Sequence, residues 1–487
     1  LWGDLEHTLG FLRTILNHTT AAMTNPTLHR ILEAAARPVD ASGLAAFRVL
    51  FGLLCAVSAG RFLVYGWVER FFGQPTFFFP YWGFEWIRPM GVGGMTAAFA
   101  AMVVLGLMVS AGLMYRVSCA ALVVIFTYVE LTDVTNYLNH YYLLSLLGAL
   151  MVLAPAHRFA SLDARLRPGL SSPTHPAWWT WLLRGQVGAV YVGAGLAKLG
   201  EDWLVHAQPL NIWLISRSDL PVVGAWFTDW RLALAMSWGG FLFDTFIVAF
   251  LLWPRTRALA YLVVLGFHAS TGALFTIGMF PWIMICAATV FFDPGWARGL
   301  LARVNPDLAR APGAGAPSAR ARRLAPWALA AVVAWTSVQV LVPRRAALYG
   351  GDVLWHEQGM RWSWRVMVRE KNGSISYRVR WRGRAREQIV PPSRYLTSHQ
   401  EREMSGQPDL ILKLAHVIGR DLEAQGKQDV EVRVDALVSL NGRPARPLID
   451  PDVDLMTIDD TLDDADWILP APTSPPPYLG ANTPDDR

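Results

Sequence analysis

Among the ionisable residues inside stretches that are otherwise apolar, five stand out: Arg48, His140, Lys198, Asp244 and His268. A charge in hydrocarbon is costly enough to be rare, so each is a candidate for chemistry or for a buried pair. Lys198 ends the run Val187-Gly188-Ala189-Val190-Tyr191-Val192-Gly193-Ala194-Gly195-Leu196-Ala197, whose small residues allow close helix approach. A lysine shut away from water can act as a neutral amine base. Alternatively it reaches toward the interface, helped by Glu201 and Asp202. His140 follows Asn139, which puts an amide and an imidazole at the edge of an apolar stretch, and His268 lies within another. Singly, each histidine reads as a satisfied structural hydrogen-bonder sooner than as a catalyst; with Lys198 in one bundle they describe a proton-transfer site. Arg48 reads either as a ligand contact or as a packing cation paired with a carboxylate such as Asp244. The chain has no nucleophile elbow, His-Glu-x-x-His, CxxC or phosphate-cradling glycine loop, so neither hydrolytic chemistry nor a metal is expected.

Positioning these groups requires a membrane. Of the 487 residues, 53% are hydrophobic and only 17% charged, a balance outside ordinary soluble domains. Between positions 43 and 342 the apolar residues gather in blocks of about 20, the length that crosses a bilayer core. Spans are predicted over 43–65, 93–114, 117–132, 136–155, 178–198, 232–253, 257–274, 276–292 and 325–343. Trp178, Trp179 and Trp181 form an interfacial belt, while Trp253-Pro254-Arg255, Asp293-Pro294 and Pro343-Arg344 act as stops. The aromatic stretch 73–89 is too short to span and is expected to lie flat in the interface. Residues 1–40 lack the pattern of a secretory signal, so no cleaved signal peptide is expected. The net charge of +5 is spread over short loops with no polybasic tract, which argues for membrane orientation and against nucleic acid. Cys55, Cys119 and Cys286 all lie in apolar segments, so no disulfide framework is implied.

With nine spans and a cytoplasmic N-terminus, Arg116, Arg158, Arg165, Arg167, Arg255, Arg257 and the six arginines from 298 to 323 fall on cytoplasmic loops. Only Arg70, Arg88, Arg217 and Arg231 fall opposite. The positive-inside rule then places the C-terminal region outside the cytoplasm, whereas eight spans would reverse it. The fold class expected is an all-α multi-pass transmembrane bundle of about nine helices with a C-terminal extracytoplasmic α+β domain. Its parts are a cytoplasmic or interfacial segment 1–42, the bundle 43–343, the α+β domain 344–470 and a disordered Pro-rich tail 471–487. Within the bundle, 306–323 reads as a flexible linker. In the α+β domain, 374–381 and 429–440 alternate as strands, and Asn441-Gly442 signals a hairpin. Leu410, Leu414, Val417, Ile418 and Leu422 recur at helical spacing between the strands.

Several separated passages, in one order, resemble the vitamin K-dependent γ-glutamyl carboxylase family and its bacterial relatives, which share a horizontally transferred transmembrane domain. They are Phe47-Arg48-Val49-Leu50-Phe51-Gly52, Leu138-Asn139-His140-Tyr141-Tyr142-Leu143, Leu183-Arg184-Gly185-Gln186, Ala194-Gly195-Leu196-Ala197-Lys198-Leu199-Gly200-Glu201-Asp202-Trp203, and Phe267-His268 onward to Phe280. Gly359-Met360-Arg361-Trp362-Ser363-Trp364-Arg365-Val366-Met367 and Ile449-Asp450-Pro451-Asp452-Val453-Asp454 extend the similarity beyond the membrane.

The resemblance implies that Lys198 is the base that deprotonates vitamin K hydroquinone, with His140 also catalytic. O2 then yields a strong base that removes a γ-proton from a peptide glutamate, CO2 traps the carbanion, and the quinone leaves as the 2,3-epoxide. It places Asn139, His268, Arg184 and Asp244 at the cofactor and Trp362, Trp364 and Arg365 at the glutamyl substrate, with no metal. A bilayer, a glutamate-containing secreted peptide or protein and a quinone-reducing enzyme are the implied partners, and a bacterial inner membrane the implied location. Two positions depart from the family pattern: Ala197 stands where a second lysine is common, and Met360 where relatives carry histidine. Two rival readings are epoxidation without carboxylation, and a transport or scaffold protein built on the same bundle.

Overall fold

The computed structural model describes residues 26–304, 306 and 326–480. The segment 1–25, the expected linker apart from Pro306, and residues 481–487 of the tail lie outside the described residues. The main helices are α1 (Pro26–Ala36), α2 (Ser42–Val64), α3 (Gly91–Ala111), α4 (Tyr115–Leu131), α5 (Asn139–Leu153), α6 (Ala177–Leu196), α7 (Trp230–Leu252), α8 (Arg257–Leu274), α9 (Phe280–Ala288), α10 (Trp296–Val304), α11 (Pro326–Arg344) and α12 (Pro408–Ala424).

Each predicted span contains a helix, as expected where apolar surroundings oblige the backbone to satisfy itself. Among the described residues, only α2, α3, α7 and α8 are long and apolar enough to cross a bilayer. A fifth is added if Phe280–Phe291 and Trp296–Val304, bent by 104°, make one span. The expected nine are therefore not confirmed among the described residues. Apolar composition marked the segments, but α5 has only 15 residues, about 22 Å of helix against a hydrocarbon core of ~30 Å.

Helices α2 and α3 cross where Gly52 meets Gly106. A Cβ on Gly52 would lie 2.5 Å from the Gly106 carbonyl oxygen, and one on Gly106 would lie 2.8 Å from that of Gly52. Arg48, one turn below the crossing, does not pair with Asp244. Its guanidinium donates to the carbonyls of Ser110, Ala156, Phe159 and Ala160 at 2.7–3.3 Å. It thereby satisfies carbonyls at the end of α3 and in the segment 156–160, a packing role.

Beyond the bundle, a four-stranded antiparallel sheet runs in the order β4-β3-β5-β6, after a two-stranded ribbon of β1 (Pro38–Asp40) and β2 (Thr174–Pro176). Its strands are β3 (Lys371–Arg380), β4 (Gln388–Val390), β5 (Glu431–Leu440) and β6 (Arg446–Pro447). Val432, Val434, Ala436, Val438 and Leu440 alternate inward on β5 and meet Leu410, Leu414 and Ile418 of α12. After β5, Asn441 (φ 53°) and Gly442 (φ 81°) take the left-handed turn that this dipeptide tolerates.

The aromatic stretch 73–89 seals this region to the bundle. Phe79 and Tyr81 are buried in the core of the α+β region. Gln400 donates to the Phe77 carbonyl at 2.8 Å and Trp82 to that of Asp460 at 3.2 Å. The tail's proline content suggested disorder, yet its described part folds back: Gln208 donates to the Pro477 carbonyl at 2.9 Å and Asn211 to that of Leu479 at 3.1 Å. Proline removes donors but leaves carbonyls, and those are what the side-chain amides bind.

Candidate active site

Lys198 lies just past the end of α6, where Gly193 and Gly195 let neighbours approach. A Cβ on Gly195 would lie 2.5 Å from the Thr245 hydroxyl and 2.9 Å from its backbone nitrogen, so α7 touches α6 there. The contact places Asp244 against the amine: Lys198 Nζ donates to Asp244 Oδ2 at 2.9 Å, and both residues are buried. The amine also donates to the Ala194 carbonyl at 3.2 Å and the Val366 carbonyl at 3.4 Å. The Trp203 ring stands 5.1 Å away. Gly195→Val is expected to prise the helices apart, lowering stability by about 1–3 kcal/mol; the thermal midpoint of detergent-purified protein measures this.

The two carboxylates that follow Lys198 in sequence do not reach it. Asp202 accepts from Arg443 at 2.6 Å and from Asn441 at 2.7 Å. Burial works to raise the Asp202 carboxyl, but these hydrogen bonds outweigh it and hold the group below its ordinary range. Glu201 is exposed.

Lys198, Asp244 and His268 line one apolar cavity, walled by Phe267, Phe275, Phe280 and Met284 among others. His268, on α8, accepts or donates at Nε2 to the Tyr191 hydroxyl at 3.0 Å, and its Nδ1 is buried with no partner among the described residues. Sequence reasoning did not single out Tyr191. The available signal was its position seven residues before Lys198, two turns along the same helix face.

The remaining site residues separate. Asn139 faces a second cavity of about 490 Å³, which also exposes Arg217, Glu357, Arg361, Arg365 and Arg369. The Tyr137 hydroxyl donates to Asn139 Oδ1 at 3.0 Å and accepts from the Trp362 amide at 2.7 Å. His140 lines neither cavity; its ring packs 5.9 Å from Phe280, which in turn lies 5.6 Å from His268. Consecutive helix residues point about 100° apart, and here Asn139 and His140 meet different surroundings. Arg184 lies 14 residues before Lys198 on the same helix, about 21 Å away by helical rise. It donates to the Val290, Phe291 and Phe292 carbonyls and so caps the end of the α9 segment. It lines neither the Lys198 cavity nor the one faced by Asn139.

Of the expected substrate residues, Arg365 faces the second cavity, whereas Trp362 and Trp364 do not. Trp364 is buried, stacked 5.1 Å from Tyr142 and pressed on Gly193. Trp362 stacks 5.9 Å from Tyr81. They anchor a loop with positive φ at Trp362 (60°), Trp364 (57°) and Met367 (53°), a backbone that costs about 1–3 kcal/mol per residue and persists only where packing imposes it. The loop aims the Val366 carbonyl at Lys198 and puts Met367 between the cavities. Trp213, Phe275 and Met367 line both.

Cations dominate the second cavity, but most are engaged. Arg361 pairs with Asp409 at 2.7 Å, Arg369 with Glu357 at 2.7 Å, and Arg217 donates to the Leu274 carbonyl at 2.9 Å. Burial alone would raise the Asp409 carboxyl; Arg361 outweighs it and holds the group below its usual value. Arg365 has no carboxylate within ion-pair distance among the described residues, and its Nε is buried without a partner.

Residues 36–296 match the family model of the HTTM domain, and residues 324–474 match that of the vitamin K-dependent gamma-carboxylase lumenal domain. No solved structure matches the chain. The first model alone covers more than half of the sequence, and the second follows it in order over the region that closes the Lys198 cavity. The chain therefore belongs to the vitamin K-dependent gamma-carboxylase family, as a multi-pass membrane protein.

Proposed function

We propose that the protein oxygenates vitamin K hydroquinone to the 2,3-epoxide in the apolar cavity and carboxylates a peptide glutamate with CO2 from the polar one. The observation that carries this reading is the shared wall of Trp213, Phe275 and Met367. A flat lipid-soluble ring and a charged glutamyl side chain could meet across it. The bound hydroquinone supplies the reducing power for O2 and the strong base.

The chain's residues do the rest. Lys198 takes the phenolic proton, and the unpartnered Nδ1 of His268, held through Tyr191, meets the ring's polar edge. The aromatic walls exclude water, which would quench a strong base. Arg365 receives the glutamyl carboxylate as a charge-assisted pair. At about 90 Å³ the apolar cavity is tighter than ordinary ligand pockets. Seating a bicyclic ring therefore requires its wall to move, and Met367 has the rotamer freedom to do so.

The test measures epoxide and carboxyglutamate separately, with purified protein, reduced vitamin K and a glutamyl peptide. Formation of both supports the reading. Epoxide alone supports the second reading, epoxidation without carboxylation, for which Met360 in the wall of the polar cavity speaks. Neither product points to transport or scaffolding.

The reading places 344–470 outside the cytoplasm of a bacterial inner membrane, facing a secreted substrate, with a quinone-reducing enzyme regenerating the hydroquinone. A reporter that works only in the cytoplasm is expected to be silent when fused after residue 487; a strong signal would reverse the orientation.

A further inference from the structure

Lys198 is arranged as a full ammonium. Such a group has three N–H donors, and three acceptors surround it: Asp244 Oδ2 at 2.9 Å, the Ala194 carbonyl at 3.2 Å and the Val366 carbonyl at 3.4 Å. No nitrogen lone pair is left to face the cavity. The amine can accept a proton only after giving one to a neighbour, and Asp244 is the titratable group bonded to it. None of the other nearby groups is hydrogen-bonded to the amine: Asp202 is held by Arg443, Glu201 is exposed, and His268 bonds at Nε2 to Tyr191.

We infer that the base is the Lys198–Asp244 pair and that Asp244 is where the proton finally resides. This rests on the reading above. The pair carries the same proton count as ammonium with carboxylate or as amine with carboxylic acid. Either form, on taking one proton from a phenolic hydroxyl, ends as ammonium with carboxylic acid. The O–H bond breaks, its electron pair stays on the phenolic oxygen, and one new bond to hydrogen forms within the pair. No oxidant or reductant is needed. The ammonium is left facing the new oxyanion, which it stabilises, while the carboxyl no longer competes for it.

The test uses the full chain in lipid nanodiscs with reduced vitamin K and O2. Asp244→Asn keeps the volume and an oxygen acceptor for Lys198 but cannot take a proton. Its epoxide formation near neutral pH is expected to fall by about 10²-fold or more and to recover as pH rises, because hydroxide then supplies the neutral amine. Binding of the oxidised quinone, read by quenching of tryptophan fluorescence, should change little. Wild-type activity in Asp244→Asn overturns the inference, as does a loss that no rise in pH relieves or one matched by lost quinone binding. Should the Asn variant not fold, Asp244→Glu carries the test. It keeps the acid and should retain at least roughly a tenth of the wild-type rate; a folded, quinone-binding but inactive Glu variant overturns the inference. A wild-type chain that makes no epoxide would instead overturn the underlying functional reading.

Discussion

Replacing Lys198 with alanine is expected to reduce epoxide formation by about 10²- to 10⁴-fold, the range for losing a positioned acid–base group. Quinone binding should persist, because the aromatic walls are untouched. The substitution also strands Asp244, whose carboxylate is buried 2.9 Å from the missing amine. Breaking one side of such a pair costs about 3–5 kcal/mol, whereas replacing both partners by apolar residues is often neutral. The paired control is therefore Lys198→Met with Asp244→Leu, expected to be inactive yet more stable than Lys198→Ala alone. Epoxide chromatography and thermal midpoints read the two effects independently. A small exogenous amine diffusing into the vacated space should restore part of the Lys198→Ala activity. Near-normal epoxidation by Lys198→Ala would reduce the lysine to a structural ion-pair partner and defeat the proposed mechanism, though not the family membership.

Arg365→Gln should separate the two products. Losing one member of a desolvated charge pair costs about 2–5 kcal/mol of binding. The KM for a glutamyl peptide is therefore expected to rise by about 30-fold or more. Carboxyglutamate should fall much further than epoxide, since Arg365 lines only the polar cavity. Arg361 and Arg369 do not stand in for it, because Asp409 and Glu357 already neutralise them. An equal loss of both products would show that Arg365 supports the loop and does not hold the substrate.

Much of the architecture was legible without coordinates, and for simple reasons. Apolar blocks and small-residue stretches announce helices in lipid, and the strict alternation on β5 announces a half-buried strand. The Asn441-Gly442 pair announces its turn, since these two residues tolerate positive φ. The rarity of charge in apolar segments was enough to single out Lys198, Asp244 and His268, which do share one cavity. Length proved the weaker guide to spans, because composition marks a helix as apolar without saying how far it runs.

Who faces whom was decided by tertiary structure alone. Asp244 meets Lys198 from 46 positions away because Gly195 lets α7 approach, and the nearer acids are drawn off to Arg443 or left outside. Arg48, read as either a packing cation or a ligand contact, and Arg184, which the resemblance placed at the cofactor, both donate to backbone carbonyls at helix ends and in loops. Asn139 and His140, adjacent in sequence, were sent to different surroundings by the roll of a single helix. The residue types in this chain determine what chemistry is affordable in a membrane; the roll, tilt and closest approach of helices set by packing determine which groups perform it, because a side chain's direction depends on neighbours distant in sequence.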